Sequence, residues 1–298
     1  MLGLGRMGLP IARHLVAAGY RVTGFDITTP RLDVARAAGI RAANSVRGVA
    51  RAADILVVVL PGAAEFREAL IGADGALAVM APGSTWLDLT SNDPQVASEV
   101  AALSAARGVH AVGAPMGGGV TAAESAQLQF HVGGAEPGRA IAAPLLDVLA
   151  RAGGIRELGD DVSIGYAAKL LVNTLWFGQV AAVAEALLLG ERLGIPPTRF
   201  ADLLTGSAAD SAFVRDYLGR LIAGDYVTSF GLRECVDELE IVQRLAHENR
   251  TPFSLTDEVV RLHRAALEAY GSVDGEMLVA KLLTERAAGG RAEREERP

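Results

Sequence analysis

The sequence predicts an α/β protein, with an N-terminal Rossmann-type doubly wound parallel sheet followed by an all-α C-terminal domain. Three observations lead there. From Arg21 to about residue 160, short apolar β-branched runs alternate with Ala-rich helical patterns, as βαβ units do when helices cover both faces of a mostly parallel sheet. After Gly165 the strand-like runs stop, and YAAKLLVNTLWFGQVAAVAEALLLGERLGI reads as about eight helical turns without an internal proline. The chain also opens with GLGRMG, Gly3 to Gly8, a glycine spacing with a known physical use.

The strand runs are RVTGFD, DILVVVL, STWLDLT, GVHAVGAP and QFHVGG. Beyond them, the long helix is expected over about 164–193. Gly194 provides a stop, and Pro196 and Pro197 start the next element. Its apolar residues run nearly all the way round, so the rest of the protein or a second subunit must bury it, and a homodimer is expected. PTRFADLLTGS, AFVRDYLGRLIAG, LRECVDELEIVQRLAHE and TDEVVRLHRAALEAYG read as further amphipathic helices. The domains expected are 1–162, binding a dinucleotide, and 163–288, helical, for substrate and dimerisation. The tail at 289–298 has no face to bury and is expected to be disordered.

Composition narrows the function. Half of the 298 residues are apolar and the formal charge is −7, which argues for a folded, small-molecule protein and against a nucleic-acid partner, whose phosphates require clustered Lys and Arg. Cys235 is the single cysteine, so no intramolecular disulfide forms. No Cys/His/Asp group has metal-ligand spacing, and no metal is expected. No uninterrupted apolar run reaches the roughly 18 residues that span a bilayer, and no signal region opens the chain. A cytoplasmic protein without a membrane partner is the expectation.

GxGxxG alone is a weak signal, but its context strengthens it. The motif runs into LPIARHLVAAG, helical in its apolar spacing, and then into a strand ending at Asp26. In that layout the first glycine makes a tight turn, the second admits a pyrophosphate to the backbone, and the third lets helix and strand pack. The pyrophosphate would meet the free N–H groups at the helix N-terminus. Asp26 would accept hydrogen bonds from the adenosine ribose and repel a 2′-phosphate, favouring NAD. Thr28, Thr29 and Arg31 keep NADP open, and a helix-capping or loop role for Asp26 is the alternative. Only Met1 and Leu2 precede the loop, so the first strand is expected to be truncated, with a natural start several residues upstream or Met1 in place of an internal residue.

Four ordered motifs resemble the β-hydroxyacid dehydrogenase family, which includes 3-hydroxyisobutyrate dehydrogenase and tartronate semialdehyde reductase. GLGRMGLPIARHLVAAG is similar to its cofactor signature and assigns Gly3, Leu4, Gly5, Arg6, Met7 and Gly8 to the cofactor, with VVVLPG adding Leu60 and Pro61. DLTSNDP resembles its D-x-S-T-x-x-P segment, which implies Ser91 beside the nicotinamide ribose. GAPMGGG resembles its D-A-P-V-S-G-G substrate loop, and GYAAKLLVN its G-x-x-x-K-x-x-x-N helix. The resemblance implies a Rossmann domain, a long interdomain helix, a helical domain often completed by a partner subunit, and a site between the domains.

Lys169 and Asn173 are four apart and share one helix face. In reduction of a carbonyl, negative charge grows on its oxygen, where the Lys169 ammonium can stabilise it and supply the proton; in oxidation the neutral amine accepts the hydroxyl proton. Lys169 sits among Ala167, Ala168, Leu170, Leu171 and Val172, an apolar stretch on which a lysine either snorkels or works. Asn173 would orient it or bind substrate. Gly117 and Gly118 would offer N–H donors to a substrate carboxylate, although a structural turn explains the same glycines.

Three departures stand out. The family's loop serine is Gly117 here, its leading Asp is Gly113, and the lysine of its F-x-L-x-x-x-x-K-D-L segment is Asp237, followed by Glu238. The last change turns a positive charge negative, which disfavours a carboxylate unless Arg233 compensates or the segment faces away. Two other readings therefore stay open: an imine reductase-like enzyme acting on a cationic C=N group, and a non-catalytic dinucleotide-binding protein. His14, His110, His131, His247 and His263 are scattered and read as surface or satisfied histidines. Trp176 reads as core packing near Asn173.

Overall fold

The structure is a computed structural model that describes residues 1–295, with side chains through residue 288. The tail expected at 289–298 lies outside the described side chains. The chain forms two compact units, Met1–Lys169 and the remainder from Leu170.

In the first unit the elements run α1 (Gly8–Ala17), β1 (Thr23–Gly24), α2 (Thr29–Ala37), β2 (Arg41–Ala42), α3 (Val46–Ala50), β3 (Ile55–Val58), α4 (Ala63–Ile71) and β4 (Thr85–Asp88). They continue with α5 (Pro94–Ala105), β5 (His110–Gly113), β6 (Met116–Gly117), α6 (Gly119–Glu124), β7 (Leu128–Gly133), α7 (Glu136–Leu149), β8 (Ala150–Gly159) and the start of α8 (Val162–Arg192). β1 pairs with β2 in parallel, and β3, β4 and β5 follow one another in parallel. Leu2 joins these two sheets, bridging in parallel to Phe25 on one side and Val58 on the other. Its N–H donates to the Val57 carbonyl and its carbonyl accepts from Val59. Residues 1–3 thus make the hydrogen bonds of a very short central strand.

Strand residues alternate between two cores, which explains their continuous apolar runs. Leu56, Val58 and Trp86 face one core with Phe66, Val100 and Tyr166. Val57 and Leu87 face the other with Ile11, Leu15, Val112, Phe130 and Leu146. The strand expected at QFHVGG is β7, but it runs antiparallel to β5 and β6, and a further strand, β8, lies parallel to it at the far edge. β8 carries Gly153, Gly154 and alternating charge, so neither β-propensity nor an apolar run marks it.

The second unit adds α9 (Pro197–Leu204), α10 (Ala212–Asp216), α11 (Leu218–Ile222), α12 (Leu232–Glu248), α13 (Ser254–Tyr270) and α14 (Leu278–Glu295) around the rest of α8. AFVRDYLGRLIAG, expected as one helix, is two, because Tyr217 leaves helical backbone at φ −125°. By length and composition α8 is apolar enough to cross a bilayer, a feature that counting unbroken apolar runs misses. Its Phe177, Val180, Ala184 and Leu187 are instead buried against neighbouring helices of this unit.

Candidate active site

In an open α/β sheet a ligand lies beyond the carboxyl ends of the strands, where the strand order reverses. Here the order reverses at Leu2, with β1 on one side and β3 on the other. The loops that follow this edge are the ones singled out in the sequence. Gly3–Gly8 follow Leu2, Asp26 follows β1, Leu60 and Pro61 follow β3, Ser91 follows β4, and Gly117 and Gly118 lie just past β5.

The glycine loop is shaped as a cradle. Gly3 has φ +85°, and a Cβ there would lie 1.9 Å from the Val59 carbonyl oxygen; a Cβ on Gly8 would lie 2.1 Å from that of Gly3. Neither position admits a side chain. At Gly5 the nearest group is the Arg31 guanidinium, in ordinary contact 3.5 Å from where a Cβ would sit, and α1 begins three residues later with no acid in its first turn. That arrangement suits an anion at a helix N-terminus. Arg6 is exposed and Met7 half-buried.

Asp26 is buried at the end of the next strand. Its Oδ2 accepts from Leu4 N at 2.9 Å and its Oδ1 from Thr28 N at 2.8 Å, with Arg31 Nη1 3.4 Å away. Burial pulls this carboxyl up, but the two N–H donors and the guanidinium outweigh it and hold Asp26 below its ordinary value. The acid therefore also fixes the loop to the strand.

Lys169 and Asn173 are both half-buried on α8. The helix enters through close backbone packing: a Cβ on Gly165 would lie 2.3 Å from the His131 carbonyl oxygen and 3.2 Å from that of Gly113. Four residues on, Lys169 lies near the His131 side chain, whose pKa is lowered by burial and then by the positive charges of Lys169 and Arg156. His131, which the scattered spacing of the histidines does not single out, is thus a neighbour of Lys169. The signal was its place on β7 opposite Arg156, one residue beyond the pairing of Phe130 with Met116, which only the strand pairing reveals.

Asp88 and Tyr166 were also missed. Tyr166 Oη donates to Asp88 Oδ2 at 2.9 Å, and burial pushes the Asp88 carboxyl up to about 6 against its hydrogen bonds from Thr90, Asn92 and Tyr166. The substrate-loop glycines separate. Gly118 has φ +110°, which the backbone requires, whereas a Cβ on Gly117 would meet nothing closer than Gln129 Cβ at 3.6 Å. In the helical unit, Asn173 Nδ2 donates to Glu238 Oε2 at 2.6 Å; Glu238 is buried and Asp237 exposed. Trp176 packs edge-on against Phe213 and Tyr217 and donates to Glu276.

A Rossmann-type unit with a glycine cradle, an acid at the next strand end and a lysine-bearing helix packed against it defines the class of nicotinamide dinucleotide-dependent oxidoreductases. Comparison with known proteins gives the family. Residues 1–163 match the family model for the NAD binding domain of 6-phosphogluconate dehydrogenase, and residues 164–283 the model for the NAD-binding region of NADP-dependent 3-hydroxyisobutyrate dehydrogenase. Human mitochondrial 3-hydroxyisobutyrate dehydrogenase is 32% identical over 270 residues, covering 88% of this chain and 80% of that protein. The NAD-dependent L-serine dehydrogenase of Pseudomonas aeruginosa is 28% identical over 274 residues, 90% of this chain and 91% of the relative. A Mycobacterium tuberculosis 3-hydroxyisobutyrate dehydrogenase structure with L-serine superposes with TM-score 0.85 at 27% identity, over 94% of this chain and 97% of that one. The chain belongs to the 3-hydroxyisobutyrate dehydrogenase family of NAD(P)-dependent hydroxyacid oxidoreductases.

Proposed function

We propose that this protein interconverts a small β-hydroxyacid and its semialdehyde, prefers NAD to NADP, and uses Lys169 as its general acid/base, acting in the cytoplasm as a homodimer. The observation that carries the reading is Lys169, half-buried on α8 and one helical turn past the Tyr166–Asp88 hydrogen bond at the carboxyl edge of the sheet.

Gly3 to Gly8, Asp26, Leu60, Pro61 and Ser91 would hold the dinucleotide, and the Gly3–Gly8 cradle fits it because side chains are excluded at its two ends while the only nearby group at Gly5 is the cationic Arg31 guanidinium. When bound, the nicotinamide supplies or accepts the hydride. The protein's own part is to place the substrate and move its proton. As an ammonium, Lys169 donates a proton to the carbonyl oxygen as that oxygen becomes a hydroxyl; as a neutral amine it takes the proton back in oxidation. His131, with its pKa lowered, favours the neutral form and so adds little competing positive charge. The N–H groups of Gly117 and Gly118 bind the substrate carboxylate. Asn173 holds this part of α8 through Glu238.

The names of the two relatives that involve L-serine fit the same class, a three-carbon acid with a hydroxyl at C3. A homodimer is supported by the apolar surface of α8, where Leu171, Leu175 and Leu189 are 50%, 70% and 59% exposed.

The test is a substrate screen with both cofactors: 3-hydroxyacids including L-serine and 3-hydroxyisobutyrate, their semialdehydes, and a cyclic imine. Turnover of a hydroxyacid or semialdehyde, faster with NAD(H), is expected. Turnover of the imine alone would assign the cationic substrate instead, and cofactor binding without any turnover would make this a binding protein.

A further inference from the structure

Helix α8 carries Tyr166 one turn before Lys169, and the tyrosine is fully buried. Its hydroxyl donates to Asp88 Oδ2 at 2.9 Å, and the same oxygen accepts from Asn92 Nδ2 at 3.0 Å. The other carboxylate oxygen, Asp88 Oδ1, accepts from Thr90 N at 3.0 Å, and Thr90 Oγ1 accepts in turn from Leu60 N at 3.0 Å. Two segments therefore meet at one carboxylate, the Thr90–Asn92 loop around Ser91 and the helix that presents Lys169, and a third, the Leu60–Pro61 turn, is tied to it through Thr90. A fourth is locked by packing. Position 113 opens the substrate loop, and a Cβ there would lie 2.5 Å from Tyr166 Cε2. The tyrosine ring occupies the space that a side chain at 113 would need, so this glycine and this tyrosine are matched.

We propose that Tyr166 is a positioning residue: held by Asp88 and seated in the space left by Gly113, it sets where Lys169 stands relative to the cofactor and substrate loops. The proposal rests on Lys169 being the acid/base. A residue that fixes a reacting group acts on rate rather than on binding, since displacement of an acid/base by about 1 Å costs on the order of 100-fold. Asp88 also provides a readout that a purely structural role does not move. The groups that face it are Thr90 and Asn92 from its own loop and Tyr166 from α8, and each of the three donates to it and favours its ionised form. Removing the tyrosine hydroxyl leaves burial less opposed, so the Asp88 carboxyl rises above its value of about 6. Protonated Asp88 no longer anchors the helix in the same way, and activity falls at a higher pH than in the wild type.

The experiment is steady-state kinetics of the full chain and Tyr166→Phe from pH 5 to 9, with cofactor dissociation constants measured alongside. The expected result is a kcat about tenfold lower or worse, a cofactor Kd within about twofold of wild type, and an acid limb displaced to higher pH. A superimposable pH profile with kcat within about twofold would overturn the proposal. Gly113→Ala, which crowds the ring from the substrate-loop side, gives an independent reading. It should lower kcat with cofactor binding kept, and its thermal destabilisation should be smaller in a Tyr166→Ala background. Additive destabilisation would contradict the matched pair. Lys169→Ala separates the two levels: if that variant stays active, the reading of the site fails. If it is inactive while Tyr166→Phe matches wild type, only the positioning role fails.

Discussion

The backbone N–H of Leu4 donates to Asp26 Oδ2 at 2.9 Å, so the acid that ends the strand after the glycine loop also holds that loop in shape. Arg31 reaches the same oxygen from 3.4 Å. Under the proposed function, the cofactor choice lies between this carboxylate, which repels a 2′-phosphate, and a half-exposed guanidinium that would attract it. Asp26→Asn keeps an acceptor for one N–H but removes the charge. It should raise the ratio of kcat/KM with NADP to that with NAD at least tenfold. Arg31→Ala should lower the same ratio. Unchanged ratios in both variants would show that the adenosine end lies elsewhere.

Gly117 is the position at which this chain lacks the serine hydroxyl of the family it resembles, and a Cβ there meets only Gln129, its Cβ at 3.6 Å and its carbonyl oxygen at 4.0 Å, both ordinary contacts. Gly117→Ser should therefore fold with an unchanged Tm and lower KM for hydroxyacid substrates several-fold, the scale of one added net hydrogen bond of about 1 kcal/mol. Saturation curves for wild type and variant decide this. An unchanged KM would remove Gly117 from the substrate site. The neighbouring Gly118, at φ +110°, does not offer this test because its backbone disfavours any side chain.

Asp88 should leave a signature in stability. Its carboxyl is raised from 3.8 to about 6 in the folded chain, first by burial, so the native state holds this proton more tightly than the unfolded chain does. The stabilisation is fully present below the unfolded value and is lost as pH rises through about 6. Between pH 4.5 and 7.5 the loss is about 2 kcal/mol. Urea unfolding should show Asp88→Asn gaining about that much relative to wild type over this interval. A pH-independent difference would mean that Asp88 titrates normally.

What the sequence made legible is what local pattern encodes. The glycine loop, Asp26 and Lys169 each announce themselves within one strand–helix unit or one helical turn, and Trp86 beside Leu87 shows a strand buried on both faces. What stayed hidden depends on distant pairing. Tyr166 and Asp88 are 78 residues apart, and Asn173 and Glu238 are 65 apart. His131 becomes a neighbour of Lys169 only once β7 is paired with β6 and β8 and Gly165 packs on its carbonyl. Gly113 read as a lost aspartate, and the structure reads it as the space for a tyrosine that looks like an ordinary core residue in sequence.

The most direct measurement is a single-turnover assay of Lys169→Ala with saturating cofactor and the best substrate from the screen. Hydride transfer should slow by about 100-fold or more, with the cofactor Kd and Tm close to wild type. A rate within about threefold of wild type, with the cofactor bound normally, would contradict the acid/base role of Lys169.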